Sequence, residues 1–188
     1  EQKKICKIML VGPVNVGKST LFNKMIDKDR AIVTNIKGTT RDILSNEFIF
    51  NNNQFELFDT AGQRSKQGKI EKYGYKKAQI ASREIDHFFV LIDQNTKRSD
   101  ISTIFKDFLI NKNYTLIETK SDIYTYKSEN IKINNSLERD KLFQKLKLSS
   151  IHGKYVKNNP KKTDFNSEEM DFLARILEYE VDIAKEKD

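Results

Sequence analysis

Eight residues near the amino end, Gly12-Pro13-Val14-Asn15-Val16-Gly17-Lys18-Ser19, have the spacing G-x-x-x-x-G-K-[ST]. The glycines let the backbone turn its N–H groups inward around an anion. A helix starting behind them aims its positive end at the same point. This is the pattern of a phosphate-binding loop. Asn15, Val16, Gly17, Lys18, Ser19 and Thr20 would surround the phosphates. Lys18 would reach the β- and γ-phosphates, and the Ser19 hydroxyl would bind Mg²⁺.

Three further stretches fit the same chemistry. In Asp59-Thr60-Ala61-Gly62, Asp59 can hold the Mg²⁺ shell and the Gly62 N–H can meet the γ-phosphate. A glycine there also lets the loop reorganise when that phosphate leaves. In Thr119-Lys120-Ser121-Asp122, which matches [NT]-K-x-D, the Asp122 carboxylate can accept two hydrogen bonds from guanine N1 and N2. Adenine has no such donor pair, so the motif selects GTP over ATP. Threonine stands at 119, where asparagine is usual. In Gly38-Thr39-Thr40-Arg41-Asp42, Thr40 is the residue expected to complete the Mg²⁺ shell. Ser149-Ser150-Ile151 is expected to form the loop whose backbone N–H faces guanine O6.

Elements of the right kind surround these motifs. Ile5–Val11 and His87–Asp93 are near-continuous apolar runs, as buried strands are. Ile43–Phe50 and Gln54–Asp59 read as strands joined by an Asn51-Asn52-Asn53 turn, since asparagine tolerates positive φ. Tyr114–Glu118 and Leu146–Ser149 read as two more strands. Helical spacing appears over Lys18–Ile26, Glu71–Glu84, Ser99–Ile110 and Leu137–Leu146. A last amphipathic helix carries Met170, Leu173, Leu177 and Val181 behind an Asn166 or Ser167 N-cap. The alternation predicts one α/β domain over residues 1–188, with a mostly parallel six-stranded sheet and helices on both faces. The long polar stretch Asp27–Asp42 reads as a functional loop. Ser121–Asn135 takes no assignment.

Composition narrows the setting. At 37% hydrophobic and 32% charged residues, the chain reads as a globular protein with no bilayer-spanning run and no signal peptide. The single cysteine, Cys6, rules out an internal disulfide and suits a cytoplasmic location. The net charge of +7 is spread as lysines among asparagines and acids. It reads as a solvated surface that tolerates a nearby tRNA rather than a dedicated RNA-binding stripe. Because the first residue is Glu1, the chain is expected to be a fragment of a longer protein.

Together, "NVGKSTLFN", "AIVTNIKGTTRD" and "DTAG" resemble the bacterial GTPases of the TrmE (MnmE), Era and EngA (Der) group. The resemblance covers about Ile5 to Asp122 and implies a Ras-like P-loop fold. "GKSTLFN" leans towards EngA, whereas "RAIVTNIKGTTRD" and "KIEKYG" lean towards TrmE. A TrmE-like chain implies the GTP-hydrolysing motor of a cytoplasmic enzyme that modifies C5 of the wobble uridine of tRNA with MnmG (GidA). That enzyme also has a folate-binding and a helical domain. The alternative is the G domain of an EngA-like ribosome-assembly factor. The TrmE resemblance further implies K⁺ stimulation. Asn15 would bind K⁺ with backbone oxygens of Thr34, Ile36 and Thr39, and two G domains would pair on nucleotide binding.

The water-orienting group has two candidates. Gln63, directly after D-T-A-G, could accept from the attacking water as in Ras. In the TrmE resemblance that position is usually Leu or Ile, and the glutamate matched by Glu71 acts in hydrolysis instead. The motif match around Glu71 favours it, with Gln63 as a tolerated polar residue.

Overall fold

The computed structural model describes residues 4–26, 43–60, 69–126 and 128–154, with the side chains of 69–74 and 152–154 outside that description. Six strands form one sheet in the order β2-β3-β1-β4-β5-β6. They are β1 (Cys6–Val11), β2 (Leu44–Phe50), β3 (Asn53–Asp59), β4 (His87–Ile92), β5 (Asn113–Glu118) and β6 (Ile131–Lys132). All neighbours run parallel except β2 against β3. The helices are α1 (Lys18–Ile26), α2 (Lys69–Ala81), α3 (Arg98–Ile104), α4 (Arg139–Lys145) and α5 (Leu148–Lys154).

Side chains alternate across a strand, so a run such as β1 must find cover on both faces. Ile8 and Leu10 enter one core with Leu21, Phe22 and Met25 of α1 and Leu142 and Phe143 of α4. Met9 and Val11 enter the other with Ala78 of α2 and Ile101 and Ile104 of α3. β4 divides the same way, Phe89 and Leu91 on one side and Phe88, Val90 and Ile92 on the other. The β2–β3 turn is Asn51-Asn52, with φ of 50° and 58°. Two positive-φ residues make the mirror-image turn whose twist matches the strands.

The carboxyl end of the domain differs from expectation. Leu146–Ser149 is not a strand. The apolar spacing Leu142, Phe143, Leu146 belongs to α4 and its end, and all three are buried. Lys147 then adopts φ 53°, a left-handed turn that stops the helix, and Leu148 opens α5. The sixth strand is instead Ile131–Lys132, inside the stretch the sequence left unassigned. It is two residues long, paired Ile117↔Ile131 and Glu118↔Lys132. The helix expected over Ser99–Ile110 is α3 followed by a π-helical turn, Phe105–Leu109. The stretch Asp27–Asp42, expected as a loop, and the helix expected behind Asn166 or Ser167 lie outside the described residues.

Candidate functional site

β1 sits at the point where the chain turns to β3 on one side and β4 on the other, and its carboxyl end opens into the loop Gly12–Gly17. Such a reversal of strand order makes a crevice above the strand ends, where ligands bind in open α/β sheets. Gly12 is needed for close approach: a Cβ there would lie 2.5 Å from the carbonyl oxygen of Leu91. Gly17 is needed for its backbone, at φ 109°, since a Cβ there would meet Thr119 at an ordinary 4.0 Å. Asn15 also takes positive φ, 64°, a conformation asparagine tolerates better than most.

Behind the loop, α1 begins at Lys18, and its first turn closes with Leu21 N–H donating to Gly17 at 2.9 Å. Lys18 is 6% exposed, and its ammonium donates to the carbonyls of Gly12 and Pro13, each at 2.6 Å. The charge thus stands across the loop it belongs to. Ser19 is half-buried, and Asn15 and Thr20 are exposed. Asp59 ends β3 in register with Leu10, is 1% exposed, and is followed by Thr60, whose hydroxyl donates to the Leu10 carbonyl at 2.9 Å. A buried carboxylate and the Ser19 hydroxyl therefore stand at the same end of the sheet.

The Thr119–Asp122 segment follows β5, two strands from β1, and is fastened to the loop directly. The Thr119 hydroxyl donates to the Val16 carbonyl at 2.7 Å, with the Ile92 carbonyl a second acceptor at 3.2 Å. Tyr126 donates to the Thr119 carbonyl at 2.7 Å. Lys120, at φ 59°, pairs with the buried Asp93 at 2.5 Å. The Asp93 carboxylate also accepts from the Asn95 N–H at 3.0 Å. Asp122 is exposed.

A cleft joins the two segments. It is lined by Asn15, Val16 and Gly17, by Thr20, Leu21 and Lys24 of α1, by Thr119 and Lys120, and by Ile133, Asn134 and Asn135. The last three were missed from the sequence. The available signal was a small polar loop, Asn134-Asn135-Ser136, directly after the apolar Ile131 and Ile133. Ile133 N–H donates to the Glu118 carbonyl and Ser121 N–H to the Ile133 carbonyl, so this loop is tied to Thr119–Asp122 by backbone alone. Lys24 reaches across to the Asn135 carbonyl at 2.7 Å.

The structure does not bring Ser149, Ser150 and Ile151 to this cleft. Ser149 accepts from Asn51 Nδ2 at 3.2 Å, beside the β2–β3 turn at the opposite end of the sheet. Ser150 caps Lys147 and Ile151 fills the core. The reason is the left-handed break at Lys147, which makes this segment a helix rather than a strand-end loop. Of the other expected site residues, Thr34, Ile36, Thr39, Thr40, Gly62 and Gln63 lie outside the described residues. Glu71 lies in the first turn of α2, its side chain undescribed.

The comparisons agree with this arrangement. Residues 7–120 match the model of the 50S ribosome-binding GTPase family. The tRNA modification GTPase MnmE of Mycoplasma genitalium is 36% identical over 124 residues, covering 66% of this chain and 28% of that protein. The MnmE of Mycoplasmopsis pulmonis is 41% identical over 118 residues, 62% of this chain and 26% of that one. The MnmE of Thermotoga petrophila is 32% identical over 148 residues, 78% and 32%. The chain thus spans about a third or less of the length of the curated relatives it matches. Among solved structures, an Aquifex aeolicus Era variant bound to GDP and aluminium fluoride shares the fold at TM-score 0.57 and 20% identity, covering 86% of this chain and 58% of that one. The G domain of the T. maritima FeoB iron transporter does so at 0.51 and 20%, covering 82% and 100%. With its phosphate loop, its Thr119–Asp122 segment and its sheet order in place, the chain belongs to the 50S ribosome-binding GTPase family and is a GTPase with a G domain of the TrmE/MnmE type.

Proposed function

We propose that the chain is the G domain of a K⁺-stimulated tRNA-modification GTPase, acting in a longer cytoplasmic protein with MnmG on the wobble uridine. The observation that supports this reading is the Thr119–Val16 hydrogen bond, which holds the Thr119–Asp122 segment against the loop Gly12–Gly17 in one cleft. The MnmE relatives supply the tRNA-modifying context.

In this reading GTP lies with its phosphates on the loop Asn15–Thr20 and its base over Thr119–Asp122. Asp122 accepts from guanine N1 and N2, and the side of O6 falls to Ile133–Asn135 rather than to Ser149–Ile151. Lys18 leaves its two carbonyl acceptors for the β- and γ-phosphates, exchanging neutral partners for charged ones. The hydroxyl of Ser19 and the buried carboxylate of Asp59 are oxygen donors suited to Mg²⁺, and the Thr40 hydroxyl would add a third. Asn15 would hold K⁺ with Thr34, Ile36 and Thr39. Bound there, these cations would neutralise charge on the phosphates as the bond to the γ-phosphate breaks. Gly62 senses the γ-phosphate. Glu71 orients the water, with Gln63 as the competing residue. The K⁺ site is completed when two G domains pair.

Hydrolysis rates of GTP and ATP for the wild type, Glu71→Ala and Gln63→Ala test this. The reading requires GTP to be turned over in strong preference to ATP, and Glu71→Ala to fall by roughly 100-fold or more. An intact Glu71→Ala rate with an inactive Gln63→Ala would move the water-orienting role to Gln63.

A further inference from the structure

Helix α2 carries Glu71 in its first turn, and Tyr75 follows one turn later on the same side of the helix. The Tyr75 hydroxyl donates to Asp107 Oδ2 at 2.5 Å. Its ring stands edge-on to Phe108, 5.3 Å between centroids at 80°. Both partners belong to the π-helical turn Phe105–Leu109 that ends α3. Single π turns are rare in helices and are frequently found at functional sites. Here the turn buries Phe105, Phe108 and Leu109 while leaving Asp107 only half-buried beside them. Tyr75 therefore meets an apolar edge and a carboxylate from two consecutive residues. Burial first, and then the bond to Asp107, raise the pKa of the Tyr75 hydroxyl above its ordinary value.

One turn beyond Tyr75, Ala78 is 1% exposed and packs into the core. Ala78, with the half-buried Ala81 packed beside the same core, sets how close the described part of α2 lies to the sheet, but methyl groups give little control over rotation or sliding along the axis. The Tyr75 contacts are directional and supply that control.

We propose that Tyr75 is a positioning residue for hydrolysis, its latch on Asp107 and Phe108 fixing the rotation and height of α2 and hence the place of Glu71. The inference rests on the assignment of Glu71 above. A misplacement of the order of an ångström is enough to slow a chemical step without weakening binding.

The test is steady-state GTP hydrolysis by the whole chain in potassium and magnesium chloride, with GDP affinity and thermal midpoint measured alongside. The variants are Tyr75→Phe, Asp107→Ala, Asp107→Asn, Glu71→Ala, and Tyr75→Phe in the Glu71→Ala background. Tyr75→Phe keeps the ring on Phe108 and loses only the donor, so it preserves packing. Tyr75→Phe and Asp107→Ala are each expected to lower kcat about tenfold with KM and GDP affinity unchanged. Asp107→Asn keeps an acceptor oxygen for the hydroxyl and should recover most of the rate. Tyr75→Phe should cost nothing further once Glu71 is gone. Unchanged kcat in Tyr75→Phe and Asp107→Ala, beside a slow Glu71→Ala, overturns the latch alone. A rate loss in Asp107→Asn as large as in Asp107→Ala, with a lower thermal midpoint, also overturns it by marking a structural role. An unaffected Glu71→Ala overturns the Glu71 assignment, and the latch with it.

Discussion

The hydroxyl of Thr119 lies 2.7 Å from the carbonyl oxygen of Val16, so the Thr119–Asp122 segment and the loop Gly12–Gly17 hold each other in place. Both groups are buried, Thr119 at 5% and Val16 at 1% exposure. A shorter side chain than the usual asparagine thus still spans the gap between the two motifs.

Thr119→Val keeps the shape and removes the donor, leaving a buried carbonyl without it. The expected cost is about 1–3 kcal/mol of folding stability. A several-fold loss of GDP affinity should accompany it as the loop loses its tie. Urea unfolding and fluorescent-nucleotide titration measure the two effects. If neither moves, the bond carries nothing.

Asp122→Asn replaces an acceptor carboxylate with an amide that offers N–H donors. Guanine N1 and N2 would then face donors, and GDP affinity should fall by at least ~100-fold. Xanthine presents a carbonyl where guanine has its amino group, so xanthosine diphosphate should bind better to the variant than GDP does. Competition binding with the two diphosphates reads this directly. Equal loss for both would mean that Asp122 does not contact the base.

Glu56 concerns stability rather than catalysis. Burial raises its pKa, partly opposed by the hydrogen bond from Ser45 and by Lys7. A carboxyl whose folded pKa is raised stabilises the fold fully below its unfolded value, near 4.5, and loses that contribution as pH rises through the folded value. At pH 7 the charge on this half-buried carboxylate is a liability. Glu56→Gln keeps the acceptor for Ser45 and should raise the urea midpoint at pH 7, with the gain vanishing below pH 4.5. A gain of the same size at both pH values would show that charge burial is not its cause.

Much of this fold was legible because its signals are doubly determined. β1 and β4 are apolar on both faces and flanked by turn residues, and Gly12–Ser19 combines residue type with a strand before and a helix after. Asn51-Asn52 signalled its turn through backbone tolerance alone. The last strand was illegible for the opposite reason. Ile131–Lys132 is too short to have a period, and exists because Glu118 and Ile117 offer it an edge. Lys147 was equally silent, since nothing in a lysine announces a left-handed turn, and so Leu146–Ser149 passed for a strand. The same misreading took Ser149–Ile151 for a loop after a strand, whereas Ile151 lies in the core and Ser149 stands beside the β2–β3 turn. Tyr75 read as an ordinary helical residue because its partner Asp107 lies 32 positions away in a π turn.

GTP turnover in potassium chloride against sodium chloride at equal ionic strength, for the wild type and Asn15→Ala, probes the proposed K⁺ site without recourse to any other residue. Asn15 stands exposed in the phosphate loop at φ 64°, where the K⁺ role is assigned. Stimulation by K⁺ on the order of tenfold or more is expected, lost in Asn15→Ala while GDP binding persists. Equal turnover in the two salts, or full K⁺ stimulation without Asn15, would contradict that assignment.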